Sequence, residues 1–186
     1  MPVAKTGKPG NIIFIGYRAV GKSTIGAQVA QRLRRRFVDL DAVIEAEAGE
    51  TIATLVQREG WPKFRRWEKE IVRRYAAERG LVLATGGGVV LDPDNIALLR
   101  ASGKLIWLKA SPATIRWRLQ QHPTEVAARP GLTAQGTLAE IDEVLAAREP
   151  LYQAAATVIL TVDQATPEAL VQQIIDLIKE WEQASP

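Results

Sequence analysis

Cysteine is absent from the 186 residues, and histidine occurs once, at His122. Disulfides, thiolate nucleophiles and cysteine-ligated metals are thereby excluded, and a lone imidazole argues against a histidine-rich metal site or a histidine-based triad. Any catalytic metal is expected to be a Mg²⁺ held by oxygens. Long hydrophobic runs are missing too. Although 47% of the residues are hydrophobic, no segment approaches the roughly 20 apolar residues of a membrane span. Nor does the stretch from Met1 to Gly10 contain an apolar core of signal-peptide length. A cytoplasmic protein without a membrane partner is expected. Charge of one sign is in slight excess, at +3. Arg32, Arg34, Arg35 and Arg36 cluster, but basic residues elsewhere are interleaved with acidic ones, so the cluster reads as the basic end of a helix and no nucleic acid partner is expected. An anionic small substrate would explain the excess equally well. The length fits one α/β domain and leaves no room for a second. We expect a flexible tail over residues 1–10 and a single domain over 11–182.

What is present begins with Gly16-Tyr17-Arg18-Ala19-Val20-Gly21-Lys22-Ser23-Thr24, a complete G-x-x-x-x-G-K-[ST] phosphate-binding loop. It follows the apolar run Ile12 to Ile15 and precedes a helix-compatible segment, Thr24 to Leu33. A strand ending in a glycine turn that opens a helix aims backbone N–H groups at a phosphate. Gly16 and Gly21 allow the main chain to wrap the phosphate oxygens. Lys22 supplies a compact cation for the β- and γ-phosphates, and the Ser23 hydroxyl can ligate Mg²⁺.

Short apolar runs alternate with helical patterns along the chain, the signature of a parallel sheet between helices. Strands are predicted at 12–15, 37–38, 81–84, 105–108 and 158–160. A helix over 62–79 carries Phe64, Trp67, Ile71 and Tyr75 at helical spacing. Three more helices announce their starts with a capping residue followed by proline, at Asp92-Pro93, Ser111-Pro112 and Thr166-Pro167. Residues 120–136 are polar and rich in Pro and Gly, as befits a mobile lid.

Ligands of an open parallel sheet bind beyond the carboxyl ends of its strands. Two strand ends stand out besides the phosphate loop. The first is Asp39-Leu40-Asp41, whose carboxylates can diverge, one toward Mg²⁺ or its water shell and the other toward an acceptor hydroxyl. Alternatively, Asp41 caps a helix through Ala42 to Glu45 and Asp39 is a solvated turn residue. The second is Thr85-Gly86-Gly87-Gly88, where successive glycines expose backbone to a small ligand, or merely make a tight turn. Arg65, Arg66, Arg129 and Arg148 are candidate cations for a carboxylate or a transferring phosphoryl group. No apolar strand ends in an ordinary Walker B aspartate, and neither an Asn-Lys-x-Asp nor a Leu-Ser-Gly-Gly-Gln motif occurs. A kinase acting on a small molecule is the class that remains.

Taken in order, the phosphate loop, Asp39-Leu40-Asp41, Phe64-Arg65-Arg66-x-Glu68, Gly86-Gly87-Gly88, Arg129-Pro130 and Arg148-x-Pro150-Leu151-Tyr152 resemble the shikimate kinase family over residues 11–180. The resemblance implies a three-layer P-loop kinase fold. Its five-stranded parallel sheet would run 2-3-1-4-5, flanked by helices, with a mobile lid. It implies transfer of the ATP γ-phosphate to the 3-hydroxyl of shikimate by a monomer using Mg²⁺. By the same resemblance Gly16, Ala19, Val20, Gly21, Lys22, Ser23 and Thr24 bind ATP. Ser23 and Asp39 serve the metal, Asp41 meets the acceptor hydroxyls as base or orienter, and Arg65 and Arg148 grip the shikimate carboxylate. Gly86, Gly87 and Gly88 line the substrate, Glu68 orients Arg65, and Arg129 closes with the lid onto ATP, completing a catalytic set of Lys22, Asp41 and Arg129. Some features depart from the family pattern. The span from Arg118 to Arg129 is longer, Gly131-Leu132 replaces Leu-Leu, Gln164-Ala165-Thr166 lacks a basic residue, and Arg18 is an unusual occupant of the loop. Arg118 is a positional candidate for the adenine side, whereas His122 and Trp61, Trp67, Trp107 and Trp117 read as loop and packing residues. Two alternatives are a gluconate or nucleoside monophosphate kinase and a catalytically silent nucleotide-binding regulator.

Overall fold

The computed structural model describes residues 9–121, 131 and 138–184. The first strand, β1 (Asn11–Ile15), is buried along its whole length, as expected of a central strand covered on both faces. Ile12 and Phe14 point into one core layer and Ile13 and Ile15 into the other, following the two-residue alternation of a pleated strand. The chain continues through α1 (Lys22–Leu33), β2 (Phe37–Asp39), α2 (Leu40–Ala48), α3 (Ile52–Glu59) and α4 (Trp61–Ala76) to β3 (Val82–Ala84). After a single 3₁₀ turn over Val89–Leu91 come α5 (Pro93–Ser102), β4 (Gly103–Lys109), α6 (Pro112–Gln121), α7 (Ile141–Ala155), β5 (Val158–Thr161) and α8 (Pro167–Ala184).

All strand pairs are parallel and the order is β2-β3-β1-β4-β5, the order the family resemblance implies. Ile13 sits opposite Leu83 on one side and Leu105 on the other. One core layer joins α1, α6, α8 and the first turns of α7 through Ile25, Val29, Ile115, Ile141, Val171 and Ile174. The other joins α2, α3, α4 and α5 through Ile44, Leu55, Ile71 and Leu99. Removing a side chain as enclosed as Ile13 or Ile71 costs on the order of 2–5 kcal/mol, because transfer and cavity terms add. Among the described residues, no helix is long and apolar enough to cross a membrane.

The three proline-led helix starts have the expected caps. The side chains of Asp92, Ser111 and Thr166 accept from the backbone N–H groups of Asp94, Thr114 and Ala169. Three expectations need correction. The strand expected at 37–38 includes Asp39, and α2 is capped by Asp39, whose Oδ1 accepts from Asp41 N at 3.1 Å and Ala42 N at 3.4 Å. Asp41 therefore lies inside the first turn of the helix it was considered to cap. Trp117 is 61% exposed and packs little, since the buried face of α6 is supplied by Ile115 and Leu119. Gln120 and Gln121 are the last residues of α6, so the expected lid starts with helix. The rest of it, with Arg129 and His122 and apart from Gly131, lies outside the described residues, as does most of the expected tail.

Candidate active site

In this strand order the chain leaves β1 for β2 on one side of the sheet and leaves β4 for β5 on the other, which opens a crevice between the carboxyl ends of β1 and β4. The phosphate loop fills it. Gly16 adopts φ 139°, and a Cβ there would fall 2.6 Å from the Leu108 carbonyl oxygen. Gly21 caps α1 at φ 100°. Ala19 also has positive φ, at 60°, a conformation that costs an L residue about 1 kcal/mol or more. Lys22 is buried and arches back over the loop, donating to the carbonyl oxygens of Gly16 at 2.9 Å and Tyr17 at 2.6 Å. No acidic residue occupies the first turn of α1, which leaves the partial positive charge of the helix end for an anion. Arg118 donates to the carbonyls of Ala19 at 3.1 Å and Val162 at 3.4 Å. It braces the loop from α6.

One cavity above this loop is lined by Arg18, Ala19, Gly21, Lys22, Ser23, Thr24, Asp39 and Asp41, together with Ala42, Glu45, Thr85 and Leu119. The Ser23 hydroxyl donates a short hydrogen bond to Asp39 Oδ2, so the two expected metal-side residues touch. Val20 is buried beneath the loop. A second cavity adjoins the first. Tyr17, Arg18, Asp41, Ile52, Trp61, Phe64, Arg65, Glu68, Arg148 and the glycines 86–88 line it.

The second cavity draws Arg65 and Glu68 from one face of α4, one turn apart. Arg65 Nη1 donates to Glu68 Oε2 at 2.7 Å, while its guanidinium lies 5.1 Å from the Phe64 ring centre and 5.5 Å from that of Trp61. Glu68 is 3% exposed, and its Oε1 has no hydrogen-bond partner among the described residues. Burial pushes its carboxyl up to about 7, against the opposing pull of Arg65. Arg148, carried by α7, donates to the Gly87 carbonyl at 3.2 Å, and that oxygen also accepts from the Tyr152 hydroxyl. Tyr152 in turn stacks on Trp107. Its phenol is raised by burial, so it donates without ionising.

Two of the three glycines leave room that the protein's own side chains occupy. A Cβ on Gly86 would stand 2.7 Å from Asp41 Oδ1 and 3.1 Å from Glu68 Oε1, and one on Gly88 would fall within the Arg65 guanidinium. The turn thus lets Asp41, Glu68 and Arg65 converge on one wall.

Of the candidates named from sequence, the structure brings Ala19, Gly21, Lys22, Ser23, Thr24, Asp39 and Asp41 to the first cavity, and Asp41, Arg65, Gly86, Gly87, Gly88 and Arg148 to the second, while Gly16 shapes the loop without lining either. Arg66 is exposed and stays apart. Sequence reasoning missed Tyr17, Ile52 and Phe64 as cavity residues and assigned Trp61 to packing. Only the position of Tyr17 inside the phosphate loop could have signalled a role. The remaining three arrive through the packing of α3 and α4.

These features can be set beside known proteins. A family model described as shikimate kinase matches residues 18–179. The chain is 42% identical over 167 residues to shikimate kinase 2 of Yersinia pestis (strain Pestoides F), covering 90% of this chain and 94% of that one. It is 41% identical over 168 residues to shikimate kinase 2 of Syntrophotalea carbinolica, covering 90% and 96%. Among solved structures, the shikimate kinase from Acinetobacter baumannii in complex with shikimate matches with a TM-score of 0.85 at 30% identity, over 92% of this chain and 94% of that one. With its phosphate loop and a carboxylate-and-arginine cleft meeting at Asp41, the chain belongs to the shikimate kinase family.

Proposed function

We propose that the two cavities divide the reaction of this family between them, the loop cradle taking ATP and the arginine-lined cleft taking shikimate. The ATP γ-phosphate then passes to the shikimate 3-hydroxyl, giving shikimate 3-phosphate and ADP on the route to chorismate and the aromatic amino acids. The observation that carries the assignment is that Asp41 lines both cavities. A carboxylate at that junction can orient the acceptor hydroxyl and take its proton as the new bond to phosphorus forms. Arg65 and Arg148, farther into the cleft, supply planar donor forks suited to the shikimate carboxylate. Glu68 holds Arg65 in the required orientation, and the glycines 86–88 offer backbone at close range. Lys22, which now bridges loop carbonyls, would turn to the β- and γ-phosphates. Arg129 would close onto ATP from beyond the described residues.

The residues present fit a Mg²⁺ ion. Ser23 Oγ and Asp39 Oδ2 are hard oxygen donors in contact beside the cradle, and among the described residues no group of three or more His, Asp or Glu forms a metal cage. Phosphoryl-transfer sites hold Mg²⁺ this way, through one or two protein oxygens with phosphate and water. When bound, the ion neutralises charge on the phosphate chain. Because one chain lines both cavities, the site needs no second copy, and we read the protein as a cytoplasmic monomer acting without nucleic acid.

The test is ADP release with Mg-ATP in the presence of shikimate, gluconate or a nucleoside monophosphate. Stimulation by shikimate alone, with shikimate 3-phosphate recovered, is the expected result. Preference for another acceptor would sink the cleft assignment, and ATP binding without turnover would make the chain a silent regulator.

A further inference from the structure

We propose that Arg18 is a catalytic residue of this reaction, donating hydrogen bonds to the phosphoryl group in transit, and that Glu140 is the residue that positions it. The proposal rests on the reading above, in which ATP and shikimate meet at Asp41. Arg18 and Asp41 are the two residues that line both cavities. Both therefore stand where the two cavities adjoin, within the region where a group is transferred from one to the other.

Position 18 has no need of a guanidinium to make the loop, since the unusual backbone conformations of the turn fall at Gly16, Ala19 and Gly21. Yet Arg18 is only 9% exposed, its guanidinium lies 5.7 Å from the Tyr17 ring centre, and its Nη2 stands 3.6 Å from Oε1 of Glu140, which is fully buried. Glu140 sits immediately before α7, the helix that carries Arg148. Burying both charges is a poor route to stability, because desolvation of a buried pair commonly outweighs its Coulombic gain relative to an apolar pair. A functional demand accounts for it better. The buried carboxylate attracts the guanidinium across 3.6 Å and biases it toward the junction, and Arg carries five N–H donors in a rigid fork. Such a fork can serve Glu140 and a phosphoryl oxygen together.

The chemistry calls for such a group. The bond from the γ-phosphorus to the bridging oxygen breaks with its electron pair left on ADP. A bond to the acceptor oxygen forms, and the acceptor proton goes to Asp41. Negative charge spreads over the three equatorial oxygens meanwhile, and a preorganised cation stabilises that distribution most. Arg18 exchanges no proton.

The test uses the full chain as Arg18→Ala, Arg18→Lys and Glu140→Gln. Arg18→Ala is expected to lower kcat roughly 100- to 1,000-fold, with KM for ATP and for shikimate changed by less than about threefold. Ethylguanidinium should restore at least about tenfold of the lost activity in Arg18→Ala and none in the unaltered protein. Glu140→Gln should lower kcat about tenfold at unchanged substrate affinity, as expected of a positioning residue. Arg18→Ala that keeps kcat within about twofold, or whose loss follows melting temperature and KM and is not rescued, overturns the proposal. If Arg18→Ala does not fold, Arg18→Lys decides by the same criteria, a kcat loss at unchanged KM upholding the proposal and full activity overturning it. Shikimate-dependent ADP release by the unaltered protein separates the two readings. Its absence defeats the assigned reaction, whereas its presence beside a fully active Arg18→Ala defeats only the role of Arg18.

Discussion

The nucleotide cradle and the acceptor cleft touch at Asp41 but are built in opposite ways. The cradle is a backbone structure made by consecutive residues, with Gly16 and Gly21 in conformations other residues resist. The cleft is largely a side-chain structure whose parts come from the phosphate loop, α2, α3, α4, α7 and the turn after β3. Backbone cannot move aside without altering the loop, whereas a side chain can rotate. The cradle should therefore fail all at once when perturbed, and the cleft should fail by degrees.

The sharpest way to break this contrast is Gly16→Ala. A side chain at φ 139° is strained, and the new Cβ would meet the Leu108 carbonyl oxygen at 2.6 Å. Since that oxygen belongs to β4, neither partner can yield. We expect ATP binding weakened more than about 100-fold together with a lower melting temperature, measured by calorimetry; retention of ATP affinity would contradict the rigid-backbone account. Next in size is Arg65→Ala. Charge-assisted hydrogen bonds contribute about 1.5–3 kcal/mol each, so kcat/KM for shikimate should fall roughly 10- to 100-fold while ATP affinity holds. A loss confined to ATP would place Arg65 on the wrong side of Asp41.

The same contrast explains what could be read from the sequence. The phosphate loop was legible because its glycines, lysine and hydroxyls are contiguous, and the capped starts at Asp92, Ser111 and Thr166 because capping is local. The strand order was supplied by family resemblance, and the registers needed the packed sheet. Asp39 and Asp41 were visible as a pair, but which one capped α2 depended on where β2 ended. Arg65 and Arg66 are adjacent and chemically alike, and only the path of α4 separates the one beside Glu68 from the one in solvent. The α3 helix carries just two buried residues, Ile52 and Leu55, too few for a periodic signal, so Ile52 could not be foreseen in the cleft. Glu140 acquires its meaning from Arg18 across more than a hundred residues of chain.

A third test exploits burial in the cleft. The Glu68 carboxyl is raised from 4.5 to about 7, first by desolvation, with Arg65 and Arg148 opposing and Asp41 adding to the rise. The folded state therefore holds this proton more tightly than the unfolded chain. The stability it contributes is complete below about pH 4.5, declines as pH rises, and is lost above about pH 7, a span of about 3 kcal/mol at most. Between pH 5 and pH 8, ligand-free protein should lose about 2 kcal/mol more than Glu68→Gln, which cannot titrate. Urea unfolding of both proteins at the two pH values checks this, and parallel curves would show that Glu68 is not the group responsible.

The smallest expected effect is also the most discriminating, because it repeats the glycine-to-alanine change on the other side of the site. Gly88 has φ −98°, which alanine adopts without strain. Its added Cβ would collide with the Arg65 guanidinium, the far end of a flexible side chain. The arginine can rotate away, giving up its bond to Glu68 Oε2 and its place beside the Trp61 and Phe64 rings. Stability should change by less than about 1 kcal/mol, ATP affinity not at all, and KM for shikimate should rise about tenfold. Combining Gly88→Ala with Arg65→Ala should then add nothing to the loss from Arg65→Ala alone, since the methyl group would have nothing left to displace. An additive double variant would mean that Gly88 serves the substrate through its own backbone, and the cleft would share the rigidity of the cradle.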